Sequence, residues 1–555
     1  MRVNHLQYAP LANYSLVYGK MMEDEELAKE LATLYCGIAI ACLHKLFSLH
    51  VAICEGNQDA KTLYNQLRYF HSYSIMRKGG SSETYFQYGA IMCPQSLFLL
   101  EKWALIYCRM DDEIRMITIE DLCLVMDLLL VANDKLPKSD IRGHEAEYLY
   151  LMLYYNTHRP ISNQIARAYY IYGTLAKKNP ITTKIINEYE TQKGFSIEER
   201  LSVLFNSLSI FKMQDFSIEN MLTTDLCTSI DNFDAKKLNE AYRKVSKEIC
   251  TTHAQMKRES KKILDQVWNF EPFYRHPFVQ IGNNQYALSE TSIVYQIWEG
   301  LYWSVRYSVG ADDTRFLSGF GKPFEQYVQD ITCKAADGTK GIVHYLGEFF
   351  YNYDGNRKAS SDCYIKVDNT LFVIEVKAKS PHSNTLTGVN REAIMAEVDD
   401  LVVNPVNQAL ARTGELFSGN CQIEDKYNVF FSNADRLIIC SVSMEKVQPV
   451  GELLYYSDKK IISTIPDIKM CAYHNLNIYD YEVVCGLLES RPKELGELLV
   501  SWFLDQRKDE RSGVVLSNYL FNRNIPYNSS NYVSFLFSNT MREISERTFG
   551  YNLLS

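Results

Sequence analysis

No two of the 14 cysteines stand in a CxxC pair, and no cysteine–histidine cluster has zinc-ligand spacing. That argues against a structural zinc site. The thiols are scattered, several inside apolar runs (Cys36, Cys42, Cys54), as in a reduced, cytosolic protein. Basic charge is also in short supply. The net charge is −9, so a nucleic-acid ligand would need a local basic groove against a globally repulsive field. Residues 1–20 lack the charged start and apolar core of a signal peptide. The most membrane-like stretch, Leu27 to Cys54, is interrupted by Lys29, Glu30, His44, Lys45 and His50, and reads as a buried core helix. A phosphate-binding P-loop is missing too: Gly319-Phe320-Gly321-Lys322 lacks the first glycine at the required offset. The chain therefore has no ATP-driven motor of its own.

What is present is an ordinary globular composition, 46% hydrophobic and 23% charged, over 555 residues, enough for two to four domains. From Met22 to about Met213 the apolar period is helical. Leu27, Leu31, Leu34, Ile38, Cys42 and Leu46 mark one face, and similar patterns run over Leu97 to Met110, Ile119 to Val131, Glu145 to Tyr155 and Gln164 to Leu175. No fixed repeat period is visible. Tyrosines crowd this half (Tyr148, Tyr150, Tyr154, Tyr155, Tyr169, Tyr170, Tyr172). They read as amphipathic seals between helices in preference to a base-stacking platform.

A polar linker is expected between Gln214 and Asp234, then one charged helix from Lys236 to Lys262. The helix sets nine basic residues, among them Lys257, Arg258, Lys261 and Lys262, against Glu240, Glu248 and Glu259. Two readings fit: a track for a phosphate backbone, or a solvated helix face. A small hairpin at Gly282-Asn283-Asn284 and a helix over Ser292 to Tyr307 complete this connector.

Past Phe316 the pattern alternates between helix and strand. Pro323 suits the first turn of a helix, and Glu325 projects beside its apolar face. Strand-like runs follow at Ile342 to Leu346, Phe349 to Tyr353, Cys363 to Val367 and Thr370 to Val376. Asp368-Asn369 between the last two is a hairpin signal. Leu371-Phe372-Val373-Ile374 is continuously apolar, so both faces of that strand are expected to be covered. A tight turn at Asp368-Asn369 sets Glu375 opposite Asp362. Two adjacent carboxylates repel unless a proton or cation bridges them, and an oxygen-seeking divalent ion is the natural bridge. Lys377, two residues on, lies on the same face, where an ammonium could orient an attacking water or offset phosphate charge. Arg436 to Val442 reads as a further core strand, Gln422 to Asn433 as a polar loop or an insertion, and the chain from Ile468 onward as helices.

Ser361-Asp362-Cys363-Tyr364 followed by Val373-Ile374-Glu375-Val376-Lys377 resembles the PD-(D/E)xK nuclease superfamily. The resemblance covers about residues 316–447. It implies a mixed sheet flanked by helices, with Asp362, Glu375 and the Val376 carbonyl as ligands for Mg²⁺ or Mn²⁺ and with Lys377 assisting the water. It further implies an acidic helper, Glu325, on the preceding helix and a glutamine, Gln408, on the following one. Ser361 stands where a proline is common in the superfamily, and Arg412 where a tyrosine often follows the glutamine.

The expected architecture is therefore multidomain: an all-α region (1–213), a connector with the basic helix and small hairpin (214–315), an α/β restriction-endonuclease-like core (316–450) and a mainly helical C-terminal extension (451–555). The expected activity is Mg²⁺-dependent hydrolysis of nucleic acid, double-stranded DNA first. Antiviral defence, restriction and repair are the settings this architecture suggests. An ATPase or helicase partner and self-association are the associations considered, with no membrane. The rival is a nucleic-acid-binding or scaffold protein with an inactive nuclease fold. A paired-carboxylate glycosidase lacks any cue for sugar-stacking aromatics.

Overall fold

The computed structural model describes residues 11–110, 115–136, 150–151, 160–213, 215–223, 239–310, 313–381, 385, 390–418, 420–445, 451–461, 468–508 and 515–549. The chain is mostly helical, with a mixed β-sheet flanked by helices. Cys36–Cys54 (α1) is buried on nearly every side, with His44, Lys45 and Ser48 given polar partners by other segments, as in a core helix. Among the described residues it is the one helix long and apolar enough to cross a bilayer, and it lies buried inside the protein. Pro94–Tyr107 (α2) packs across it. Tyr150, Tyr169 and Tyr172 are buried, and Tyr170 is half-buried with its hydroxyl donating to Asp330; the Tyr150 and Tyr172 hydroxyls are enclosed, where seals of the amphipathic kind would let each hydroxyl reach water. Tyr148, Tyr154 and Tyr155 lie outside the described residues. The helix expected over Gln164 to Leu175 is α-helical only through Ile161–Ala168 (α3), then widens to a π-helical Tyr169–Leu175.

The connector and the first helix of the core depart from expectation in three places. Most of the expected linker, residues 224–234, and the start of the charged helix, residues 236–238, lie outside the described residues. The described part of that helix is two helices, Asn239–Ile249 and His253–Lys262 (α4), separated by a strand, Cys250–Thr252 (β1). The break has a local cause. The β-branched Thr251 and Thr252 favour extended backbone, β1 pairs in parallel with Phe278–Ile281 (β2), and the Thr252 hydroxyl caps α4 by accepting the Gln255 N–H at 3.3 Å. β2 and Asn284–Ala287 (β3) form the expected hairpin. The helix expected over Ser292 to Tyr307 is likewise two, Glu290–Ile297 and Glu299–Ser308, broken at Trp298. Finally, Pro323 does not open a helix. Thr314–Asp337 (α5) begins earlier, capped by Asp313, whose carboxylate accepts the Arg315 N–H at 2.8 Å, and Pro323 sits inside it. The buried stripe of Phe316, Phe320, Phe324, Tyr327, Val328 and Ile331 carries the helix past the one bond the proline cannot make.

Val343–Gly347 (β4), Phe350–Tyr353 (β5), Asn356–Ala359 (β6), Cys363–Val367 (β7) and Thr370–Lys377 (β8) follow. Next come Asn404–Phe417 (α6), Cys421–Gln422 (β9) and Arg436–Ser443 (β10). Lys469–Asn477 (β11) and Ile478–Ser490 (α7) complete the frame. The main sheet has the order β11-β10-β8-β7-β4. β11, β10 and β8 run parallel, while β8, β7 and β4 alternate in direction. β5, β6 and β9 form a separate small sheet. Two sequence expectations give way here. The polar stretch from Gln422 to Asn433 holds the end of β9 and a helix, Asp425–Phe431. The chain from Lys469 to Asn477 is a strand, so the C-terminal region supplies one edge of the main sheet, and a boundary at 450 would cut through it.

Side chains of the sheet alternate between two apolar cores, as the strand period requires. Tyr364, Leu371, Val373, Leu437 and Ile439 join a core that continues into α6, α1 and α2. Cys363, Ile365, Phe372, Ile374, Val376, Ile438 and Cys440 join the other, built with α5, α7 and the helices around α3. Both faces of β8 are therefore covered, as its unbroken apolar run demands.

Candidate functional site

The β7–β8 register decides which polar groups meet. Val367 pairs with Thr370 and Cys363 with Ile374, and the turn between them is opened by Asp368 at φ +51°. Continuing the same register by one step places Asp362 opposite Glu375. Both belong to the face that carries Tyr364 and Val373, and α6 packs over that face. The backbone leading to Asp362 is pinned. Ser360 N–H donates to the Phe349 carbonyl at 2.8 Å, Ser361 N–H to the Tyr364 hydroxyl at 2.9 Å, and Gln329 on α5 donates to the Asp362 carbonyl at 3.0 Å.

Asp362 and Glu375 are buried, 7% and 2% exposed. Asp362 Oδ2 accepts the Val376 N–H at 2.7 Å, so Val376 contributes here through its N–H. Burial first, then the neighbouring Glu375 charge, with a further push from Glu325, raise the Asp362 carboxyl to about 7; the Val376 N–H and Lys377 oppose the shift. Lys377 Nζ donates to Glu375 Oε1 at 3.2 Å and to Gln408 Oε1 at 3.0 Å. The structure thus brings together Asp362, Glu375, Lys377 and Gln408. Glu325 sits at the margin. Its carboxylate is taken up by Lys322 at 2.6 Å, and Lys322 also faces Glu348 at 3.8 Å.

Arg412 was not among the residues selected from the sequence as site groups. Its Nη1 donates to Glu375 Oε2 at 2.9 Å and to Oε1 at 3.2 Å. Its spacing, one helical turn beyond Gln408, is the signal that could have found it. Three residues further along the same face, Glu415 accepts from the Tyr351 hydroxyl at 2.6 Å and from Lys358. α6 therefore holds the site and the β5–β6 hairpin with one polar stripe.

The basic helix is a different matter. α4 packs on α2, β1 and β2. Lys261 and Lys262 are exposed in its last turn, and exposed Arg258 is engaged by Gln255, while Lys257 is half-buried near Cys36 and Cys108. No hydrogen bond or ion pair among the described residues joins these four to the Asp362–Glu375 group.

The donor set can be tested against a hard divalent cation. Among the described residues no three histidine, cysteine or carboxylate side chains stand at metal-holding spacing. Two carboxylates with water and substrate oxygens are, however, an ordinary complement for Mg²⁺. Burial first and the Glu375 charge second raise the Asp362 carboxyl, and a cation bound between the two carboxylates would oppose both effects. Comparison with known proteins gives no matching family model, no similar curated protein and no similar solved structure.

Proposed function

We propose that this chain is a metal-dependent nuclease of the PD-(D/E)xK kind, with a restriction-endonuclease-like core and DNA as its first substrate. The observation that carries the reading is the opposition of Asp362 and Glu375 across the β7–β8 register, with Lys377 held beside them by Gln408. Asp362, Glu375 and the Val376 carbonyl would hold Mg²⁺ or Mn²⁺. When bound, the ion supplies charge screening at the phosphate and activation of water at neutral pH. Burial of the two carboxylates excludes bulk water from the acidic end of the site. Gln408 accepts from Lys377 and fixes its ammonium at the sheet end, where it can orient a water or meet developing phosphate charge. Glu325, paired with Lys322, stands at the margin as a secondary carboxylate.

A second reading has its own observation. Both Glu375 oxygens are engaged by Arg412, an arrangement that suits an inactive nuclease fold used for binding nucleic acid or as a scaffold. Incubation of the purified protein with supercoiled plasmid and with RNA in Mg²⁺ separates the two. The nuclease reading expects cleavage by the wild type, and a loss of about 100-fold or more in Glu375→Ala and Lys377→Met. Cleavage unchanged in both variants defeats the site assignment, and binding of nucleic acid without cleavage supports the second reading.

A further inference from the structure

We propose that Arg412 is a built-in stand-in for the divalent cation at Glu375, and that the two exchange: metal entry requires the guanidinium to leave. The proposal rests on the metal-dependent reading above. Glu375 is 2% exposed, so its charge has to be met by protein groups and not by water. Two cations meet it, Arg412 across both oxygens and Lys377 at one. With Asp362 alongside, the site holds two carboxylates and two cations, and it is balanced before any metal arrives. A divalent ion added to that set would face two fixed positive charges a few ångströms away in a poorly screened site.

Arg412 is the cation placed to move. Lys377 is held a second time, by Gln408 at 3.0 Å, and touches one Glu375 oxygen at 3.2 Å. Arg412 spans both oxygens, the positions an incoming ion needs, and has no second hold of the kind Gln408 gives Lys377 among the described residues. One turn along α6, Glu415 offers a second carboxylate on the same face, and Arg412 already acts electrostatically on Tyr351, the residue that donates to Glu415. On metal entry the guanidinium turns toward Glu415, which it would share with Tyr351 and Lys358.

Titration of the full chain with Mn²⁺ alone, followed by the paramagnetic resonance signal of the free ion and without nucleic acid, tests the exchange. Removing the competing charge should tighten Mn²⁺ binding by about tenfold or more in Arg412→Gln and in the apolar Arg412→Met, relative to wild type. In EDTA both variants should melt below wild type, and Mn²⁺ should raise their melting temperatures by more than it raises that of wild type. Glu375→Gln should bind Mn²⁺ more weakly than wild type. If neither neutral variant gains affinity or a larger melting shift while Glu375→Gln loses affinity, Arg412 does not compete and the exchange is wrong with the metal site intact. If Glu375→Gln binds Mn²⁺ as tightly as wild type, the metal site itself is wrong, and the exchange falls with it.

Discussion

At the scale of single residues, the decisive fact is that Asp362 is buried beside a second carboxylate. Its carboxyl is raised to about 7, by burial first and by Glu375 second. An unfolded chain would titrate the same group near the ordinary aspartate value of about 3.9. Between those two values the folded protein binds the proton and the unfolded chain does not. The contribution of Asp362 to stability is therefore full below the unfolded value and falls away as pH rises through about 7. In EDTA, Asp362→Asn should remove that part of the slope, so its melting temperature should gain on wild type between pH 5 and pH 8. Parallel melting curves for the two proteins across that range would refute the raised carboxyl. Asp362, Glu375 and Lys377 could be read from the chain because a tight turn and a two-residue period leave little freedom in register. Arg412 could not be read so directly. Whether a long cation on a helix turns outward or inward depends on a buried charge delivered by another element, and that is a matter of packing.

At the scale of elements, α6 is the part that converts the end of two inner strands into a site. Gln408, Arg412 and Glu415 fall on one face at steps of four and three, and each takes a different partner: Lys377, Glu375, and the Tyr351–Lys358 pair of the β5–β6 hairpin. The hairpin in turn runs directly into Ser360, Ser361 and Asp362. Glu415→Ala should leave the fold intact and speed amide exchange over residues 350–359, and under the proposed nuclease function it should lower plasmid cleavage by about tenfold through loosened placement of Asp362. Exchange confined to its wild-type rate would show that the clamp does not hold the hairpin. Elements with a strong local pattern were legible: β7, β8, β10 and the helices with a clear apolar face. Those set by remote pairing were not. β1 exists because β2 lies beside it, β9 because β5 does, and β11 because β10 leaves an edge to cover.

At the scale of the whole molecule, the two apolar cores on either face of the sheet bind the helical N-terminal half to the strands, and the division expected at residue 450 has no counterpart in the packing. A deeply buried polar tie between the regions is Arg167. From α3 its Nε donates to Glu482 on α7 at 2.8 Å, and its guanidinium lies 5.0 Å from the centre of the Trp298 ring. Glu482 also accepts from Asn163 at 2.7 Å and from the Tyr327 hydroxyl of α5 at 2.6 Å, and both members of the ion pair are almost fully enclosed. A pair so deeply buried gains little over a well-packed apolar pair, yet breaking it from one side strands a charge. Arg167→Met should therefore lower stability by about 3–5 kcal/mol, with Glu482 left beside Asn163 and Tyr327 without its cation. Adding Glu482→Gln, which removes the stranded charge and keeps the shape, should restore a large part of that loss. The measurement is urea denaturation of the two variants beside wild type, followed by tryptophan fluorescence, since Trp298 sits at the joint. If the double variant is no more stable than Arg167→Met, the loss comes from packing of the arginine stem and not from the buried charge. In that case the joint between the helical half and the sheet is held by its apolar surface alone.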